Sequence, residues 1–298
     1  MENFILIFLL LLLGVVFGYL NLFPKDSALT LNLFVIYISL PALVLINIPK
    51  LTFSTDVLIP LILPWIMIAI SVAIILILGK VFSWNRSIIG GLLLIVPLGN
   101  TSFLGIPMVK AYFGESHVPY AILYDQFGSF LALSTYGSAI LAIYSGKGKP
   151  TINMIAKKVF TFPPFIALIA ALLLRGVAFP PYAVKVLEML ASTLVPAVMF
   201  AVGLQIKLKI SSSGFIPIAS GLAIKLLIAP FFAILLCGLL GAKGQAVNVS
   251  IFEAGMGPMI TAGALAIAAD LEPEMMASMT GLGLILSFVT LPLVFLFL

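Results

Sequence analysis

Two apolar stretches of this chain carry, at their centres, residues able to do chemistry. The first reads Pro97-Leu98-Gly99-Asn100-Thr101-Ser102-Phe103-Leu104-Gly105-Ile106-Pro107. The second reads Glu253-Ala254-Gly255-Met256-Gly257-Pro258-Met259-Ile260-Thr261-Ala262-Gly263. In the first, an amide and two hydroxyls sit among glycines and prolines, which favour local unwinding. Asn100, Thr101 or Ser102 can cap a half-helix that restarts there. Backbone N–H groups freed at such a restart, together with the positive end of the helix dipole, suit an anion. Gly257 and Pro258 make the matching break in the second stretch. The expected anion-binding set is therefore Asn100, Thr101, Ser102, Gly257 and Pro258, with Lys225 offsetting negative charge.

Glu253 stands just before the second break. A carboxylate buried at membrane depth is costly, so it needs a cation, a proton or an opposite charge. Three readings stay open. Unwound carbonyls at Ala254 and Met256 complete an oxygen cage for sodium around Glu253, with Asn100, Ser129 or Asp125 contributing. Alternatively Glu253 takes up a proton, or it forms a permanent pair with Lys225. Asp125 and Ser129 are spaced i, i+4 and share a helix face. Other marked residues read as structural: Trp65 and Tyr182 as packing or interface anchors, and Asp270, Glu272 and Glu274 as a solvated loop. His117 is the only histidine and Cys237 the only cysteine. They leave no disulfide, metal cluster or nucleophile–base set, so neither a cofactor nor an enzymatic activity is expected.

Elements that position such residues must cross a bilayer. Apolar residues make up 63% of the chain and charged ones 8%, and mean hydropathy is +1.30. That composition predicts an all-α integral membrane protein, since a span needs about 20 apolar residues. The net charge of +5 belongs to loops, not to a nucleic-acid surface. Lys147, Lys149, Lys157 and Lys158 bracket one short loop and suit anionic headgroups. The N-terminal apolar run reads as a retained helix, because no basic region or small-residue cleavage site accompanies it.

Ten segments are expected, near 3–20, 28–47, 57–79, 87–113, 118–144, 156–175, 184–205, 214–238, 245–270 and 274–297. They repeat. Leu40-Pro41-Ala42 recurs as Val195-Pro196-Ala197, Ile59-Pro60 as Ile216-Pro217, and the two breaks follow in the same order. Residues 1–145 and 146–298 thus form two five-helix repeats, which an odd count inverts relative to each other. With the N-terminus outside, inner loops hold Lys25, Lys80, Arg86, Lys147, Lys149, Lys157, Lys158, Lys207 and Lys209. Outer ones hold Lys50, Lys110, Arg175, Lys185 and Lys243. That bias favours two external termini in the inner (plasma) membrane.

The run Asn100-Thr101, Gly105-Ile106-Pro107, Lys110-Ala111 and Gly114 resembles the fourth-helix signature of the auxin efflux carrier family. The stretches Lys225 to Pro230 and Gly257 to Pro292 resemble it as well. The short connection from Tyr144 to Ala156 matches the bacterial branch better than plant members, which carry a long loop there. The resemblance implies scaffold helices 1, 2, 6 and 7, and transport helices 3–5 and 8–10. It implies that helices 4 and 9 cross where a substrate carboxylate binds at Asn100, and that homodimers form through helices 2 and 7. Gly257-Pro258 departs from the plant pattern. Glu253 resembles instead a sodium-binding glutamate of the more distant bile acid:sodium symporters. The expected function is a carrier of a small organic anion working by alternating, elevator-like access. The competing expectations are a receptor that binds the anion without moving it, and an uncoupled or proton-coupled carrier.

Overall fold

The structure, a computed structural model, describes residues 2–51, 57–145, 151–177, 179–206 and 214–298. Lys147, Lys149, Lys207 and Lys209, which support the orientation reading, lie outside the described residues. The described residues form helical elements along the length of the chain. They are α1 (Glu2–Tyr19), α2 (Ser27–Lys50), α3 (Leu58–Val81), α4 (Arg86–Ile95) and α5 (Ile106–Phe113). Next come α6 (Glu115–Ser145), α7 (Ile152–Phe160), α8 (Pro163–Leu173), α9 (Pro181–Gln205) and α10 (Phe215–Leu239). The last three are α11 (Gln245–Ala254), α12 (Ile260–Ala268) and α13 (Pro273–Phe295).

Six of these, α2, α3, α6, α9, α10 and α13, are each long and apolar enough to cross a membrane. A seventh span results if α7 and α8 count as one. The expected sixth segment is not continuous: α7 and α8 are bent by 66°. Pro163 and Pro164 explain this. The residue before a proline is pushed out of the α region, and Phe162 is extended at φ −77°, ψ 116°. Outward side chains such as Ile77, Leu173 and Leu239 are more than half exposed, a face that hydrocarbon covers and water does not.

The chain forms two compact units. The first comprises Met1–Phe53, Ser102–Ile122 and Lys157–Ile206. Its tightest packing joins α1 to α9. Gly14 and Gly18 form a G-x-x-x-G pair that lets the backbones touch. A Cβ on Gly14 would lie 2.4 Å from the Phe200 carbonyl oxygen, and one on Gly203 would lie 2.4 Å from that of Leu11. Gly203→Val should therefore cost roughly 1–3 kcal/mol or more through overpacking. The expected result is a lower melting temperature in detergent and an aggregated peak on size-exclusion chromatography. In this unit Ser39, two residues before Pro41, and Thr193, three before Pro196, share a hydrogen bond of 2.7 Å.

The second unit comprises Ser54–Thr101, Leu123–Ala156 and Lys207–Leu298. Its core includes Leu92, Leu94 and Ile95 of α4, Ile75 of α3, Leu222 of α10 and Met276 and Met279 of α13. Matched prolines, Pro60 and Pro217, occupy the first turns of α3 and α10, where a missing N–H costs nothing. Pro64, inside α3, packs on Gly128 of α6. Trp65 Nε1 donates to the Phe127 carbonyl at 3.0 Å, so this tryptophan anchors α6, not only an interface.

Several helices widen locally into π turns, at Val35–Ser39, Thr101–Gly105, Tyr124–Phe130, Leu133–Gly137 and Ile224–Ile228. Each contains a buried polar residue: Ser39, Thr101, Asp125 with Gln126 and Ser129, Ser134, and Lys225. Single π turns inside α-helices concentrate at functional sites.

Candidate functional site

Both breaks exist, and they meet. α4 ends at Ile95 and no helix resumes before Thr101; α11 ends at Ala254 and α12 begins at Ile260. Gly99 and Pro258 form an antiparallel bridge. The Asn100 N–H donates to the Gly257 carbonyl at 2.8 Å, and the Met259 N–H donates to the Leu98 carbonyl at 3.0 Å. Two broken helices thus satisfy each other's backbones at a depth where lipid offers no partner. Gly283 of α13 permits this, since a Cβ there would come 2.4 Å from Pro258 Cδ.

Asn100 is 3% exposed, and its amide nitrogen has no hydrogen-bond partner among the described residues. The first N–H groups of α12, from Ile260 to Ala262, also lack intrahelical acceptors, as at any helix start. Of the three residues able to cap a restarting helix, Thr101 turns elsewhere. Its hydroxyl donates to Asp125 Oδ1 at 2.6 Å, and the chain resumes as a π turn. Gln126 Nε2 donates to the other carboxylate oxygen of Asp125 at 2.7 Å. Asp125 therefore orients Thr101 and Gln126. Ser102 is half-buried and falls in the first unit.

Glu253, Lys225 and Ser129 line one narrow cavity, with Tyr124 and Ser71 beside them. It admits about one water-sized guest. Glu253 is fully buried, and neither of its carboxylate oxygens has a hydrogen-bond partner among the described residues. Lys225, 4% exposed, directs its ammonium to the Ala254 carbonyl at 3.4 Å. It also approaches the first break, since a Cβ on Gly99 would lie 3.1 Å from Lys225 Nζ. Met256 is buried in the turn after α11, its N–H donating to the Glu253 carbonyl at 3.1 Å. The arrangement thus gathers Asn100, Thr101, Asp125, Ser129, Lys225 and Glu253 within one unit, around the paired breaks.

Gln126, Tyr124 and Ser71 escape a reading of the sequence. Gln126 had a local signal, a second polar side chain beside Asp125 in an apolar segment. Tyr124 and Ser71 had none, because only tertiary packing brings them to Glu253.

Paired helix breaks, buried unpartnered polar groups and outward apolar faces suit a membrane transport protein. The chain belongs to the membrane transport protein family, whose model matches residues 1–295, and the resemblance to auxin efflux carriers holds across its length. It is similar to an "Uncharacterized transporter" of Methanocaldococcus jannaschii, 30% identical over 289 residues, 93% of this chain and 92% of that protein. A second "Uncharacterized transporter", of Methanothermobacter thermautotrophicus, is 28% identical over 297 residues, 98% of this chain and 96% of that protein. The protein is thus a multi-pass membrane transport protein and not an enzyme.

Proposed function

We propose that the protein is a secondary active carrier of a small organic anion, a carboxylate, working by alternating access around the paired breaks. The observation that carries this is the Gly99–Pro258 bridge, with the unpartnered Asn100 amide at its edge. Asn100 and the first N–H groups of α12 supply donors for a carboxylate, and Lys225 offsets its charge. Asp125 keeps Thr101 and Gln126 in register beside them. The whole constellation belongs to the second unit, so the anion can travel with that unit in an elevator-like step. Ten spans in two inverted repeats, scaffold and transport parts, external termini in the plasma membrane and a homodimer through the second and seventh segments complete the proposal.

Sodium is the proposed coupling ion. A fully buried carboxylate with two unpartnered oxygens, facing a cavity of small-ion size that Ser129 also lines, suits a partly dehydrated cation. A second reading is favoured by the Lys225–Ala254 contact. There the lysine supplies the positive charge itself, and no inorganic cation moves. Uptake of mono- and dicarboxylates into proteoliposomes, with sodium replaced by choline at fixed pH, decides. A rate that collapses in choline supports sodium coupling, and an unchanged rate rejects it, leaving the proton and the Lys225 charge as the alternatives. Failure of every carboxylate to enter would reject the anion carrier.

A further inference from the structure

Helix α7 has no part in the site, yet it is sharply two-sided. At 100° per residue, Ile152, Ile155, Ala156, Val159 and Phe160 fall on one side. Asn153, Lys157 and Lys158 fall on the other, with Met154 between the two lysines. The element is built at both ends. Thr151 Oγ1 accepts from the Met154 N–H at 3.3 Å. At the other end Thr161 Oγ1 donates to the Lys157 carbonyl at 2.7 Å, just before the Pro163-Pro164 break.

Protein covers only part of the apolar side. Val159 is buried, but Ile152 is 84% and Phe160 68% exposed. Both lysines are exposed, and neither enters an ion pair among the described residues. Exposed isoleucine and phenylalanine disfavour water, and two ammonium groups disfavour hydrocarbon. A helix of this kind is stable lying along the boundary between headgroups and acyl chains. The 66° turn at Pro163-Pro164 frees α7 from the direction of α8, so that it can lie along that boundary.

We propose that α7 is an interfacial anchor for anionic phospholipid, with Lys157 and Lys158 on the headgroup phosphates and Ile152 and Phe160 in the acyl boundary. Charge complementarity selects this occupant, because a zwitterionic surface offers two lysines little.

The full chain in nanodiscs of phosphatidylcholine with phosphatidylglycerol tests it. A Cys237→Ser background with Phe160→Cys or Met154→Cys carries an environment-sensitive label. The Phe160 label should report an apolar setting quenched by bromine near the acyl boundary, and the Met154 label a wet one. Native mass spectrometry should show preferential retention of phosphatidylglycerol, falling roughly fivefold for each lysine changed to glutamine. Two equally wet labels would place α7 in solvent, and two equally deep ones would make it part of a span. Either result overturns the proposal, as does a lipid preference unchanged in Lys157→Gln/Lys158→Gln.

Discussion

Replacing Glu253 by glutamine is expected to slow anion transport roughly a hundredfold, the factor given by about 2.7 kcal/mol of lost cation stabilisation. The same variant should melt no lower than the parent. Its shape is retained, and a neutral amide is less costly than a carboxylate in a site without hydrogen-bond partners. This split between activity and stability marks a coupling role, for sodium or a proton, and sets it apart from a permanent ion pair. If Lys225 instead neutralises Glu253 permanently, removing the acid leaves a buried ammonium without its counter-charge, and such uncompensated charges are strongly destabilising. The melting temperature in detergent, read beside proteoliposome uptake, separates the two. Transport at parental rate in Glu253→Gln would show that this carboxylate couples nothing.

Asp125→Ala should have the second-largest effect, and on stability first. The carboxylate accepts from Thr101 and Gln126 in a fully buried setting. Its loss orphans two donors at roughly 1–3 kcal/mol each, beyond the cavity left behind. A fall in melting temperature is expected, together with weaker substrate binding because Thr101 loses its orientation. Asp125→Asn keeps one acceptor and should recover part of both losses. If Asp125→Ala melts like the parent, the hydrogen bonds assigned to Asp125 contribute little to the fold.

Much of the site was legible because glycine, proline and polar residues are conspicuous inside apolar runs. The two breaks, the prolines that open α3 and α10, and the deep charges Asp125, Lys225 and Glu253 all stand out by residue type. What type cannot show is who faces whom. Thr101 was one of three possible caps by type; its partner is Asp125, 24 residues away on another helix. Residue type left open whether Glu253 faces a cation, a proton or Lys225; in the fold the Lys225 ammonium donates to the Ala254 carbonyl. Ser71 and Tyr124 reach the cavity through packing across long sequence separations. The bend between α7 and α8 was within reach, since Pro163-Pro164 lies inside the expected sixth segment and prolines there break a helix. The π turns have no clear signature, because a single widened turn leaves the apolar pattern on either side nearly intact.

An anion held beside Asn100 is expected to cross the membrane. Counterflow in sealed proteoliposomes tests it most directly, with unlabelled carboxylate inside and labelled carboxylate outside. The expected result is transient accumulation of label by the parent protein and its loss in Asn100→Ala, with the variant still folded by size-exclusion chromatography. Saturable binding of label without exchange would make the protein a receptor, and undiminished counterflow in Asn100→Ala would contradict the site assigned here.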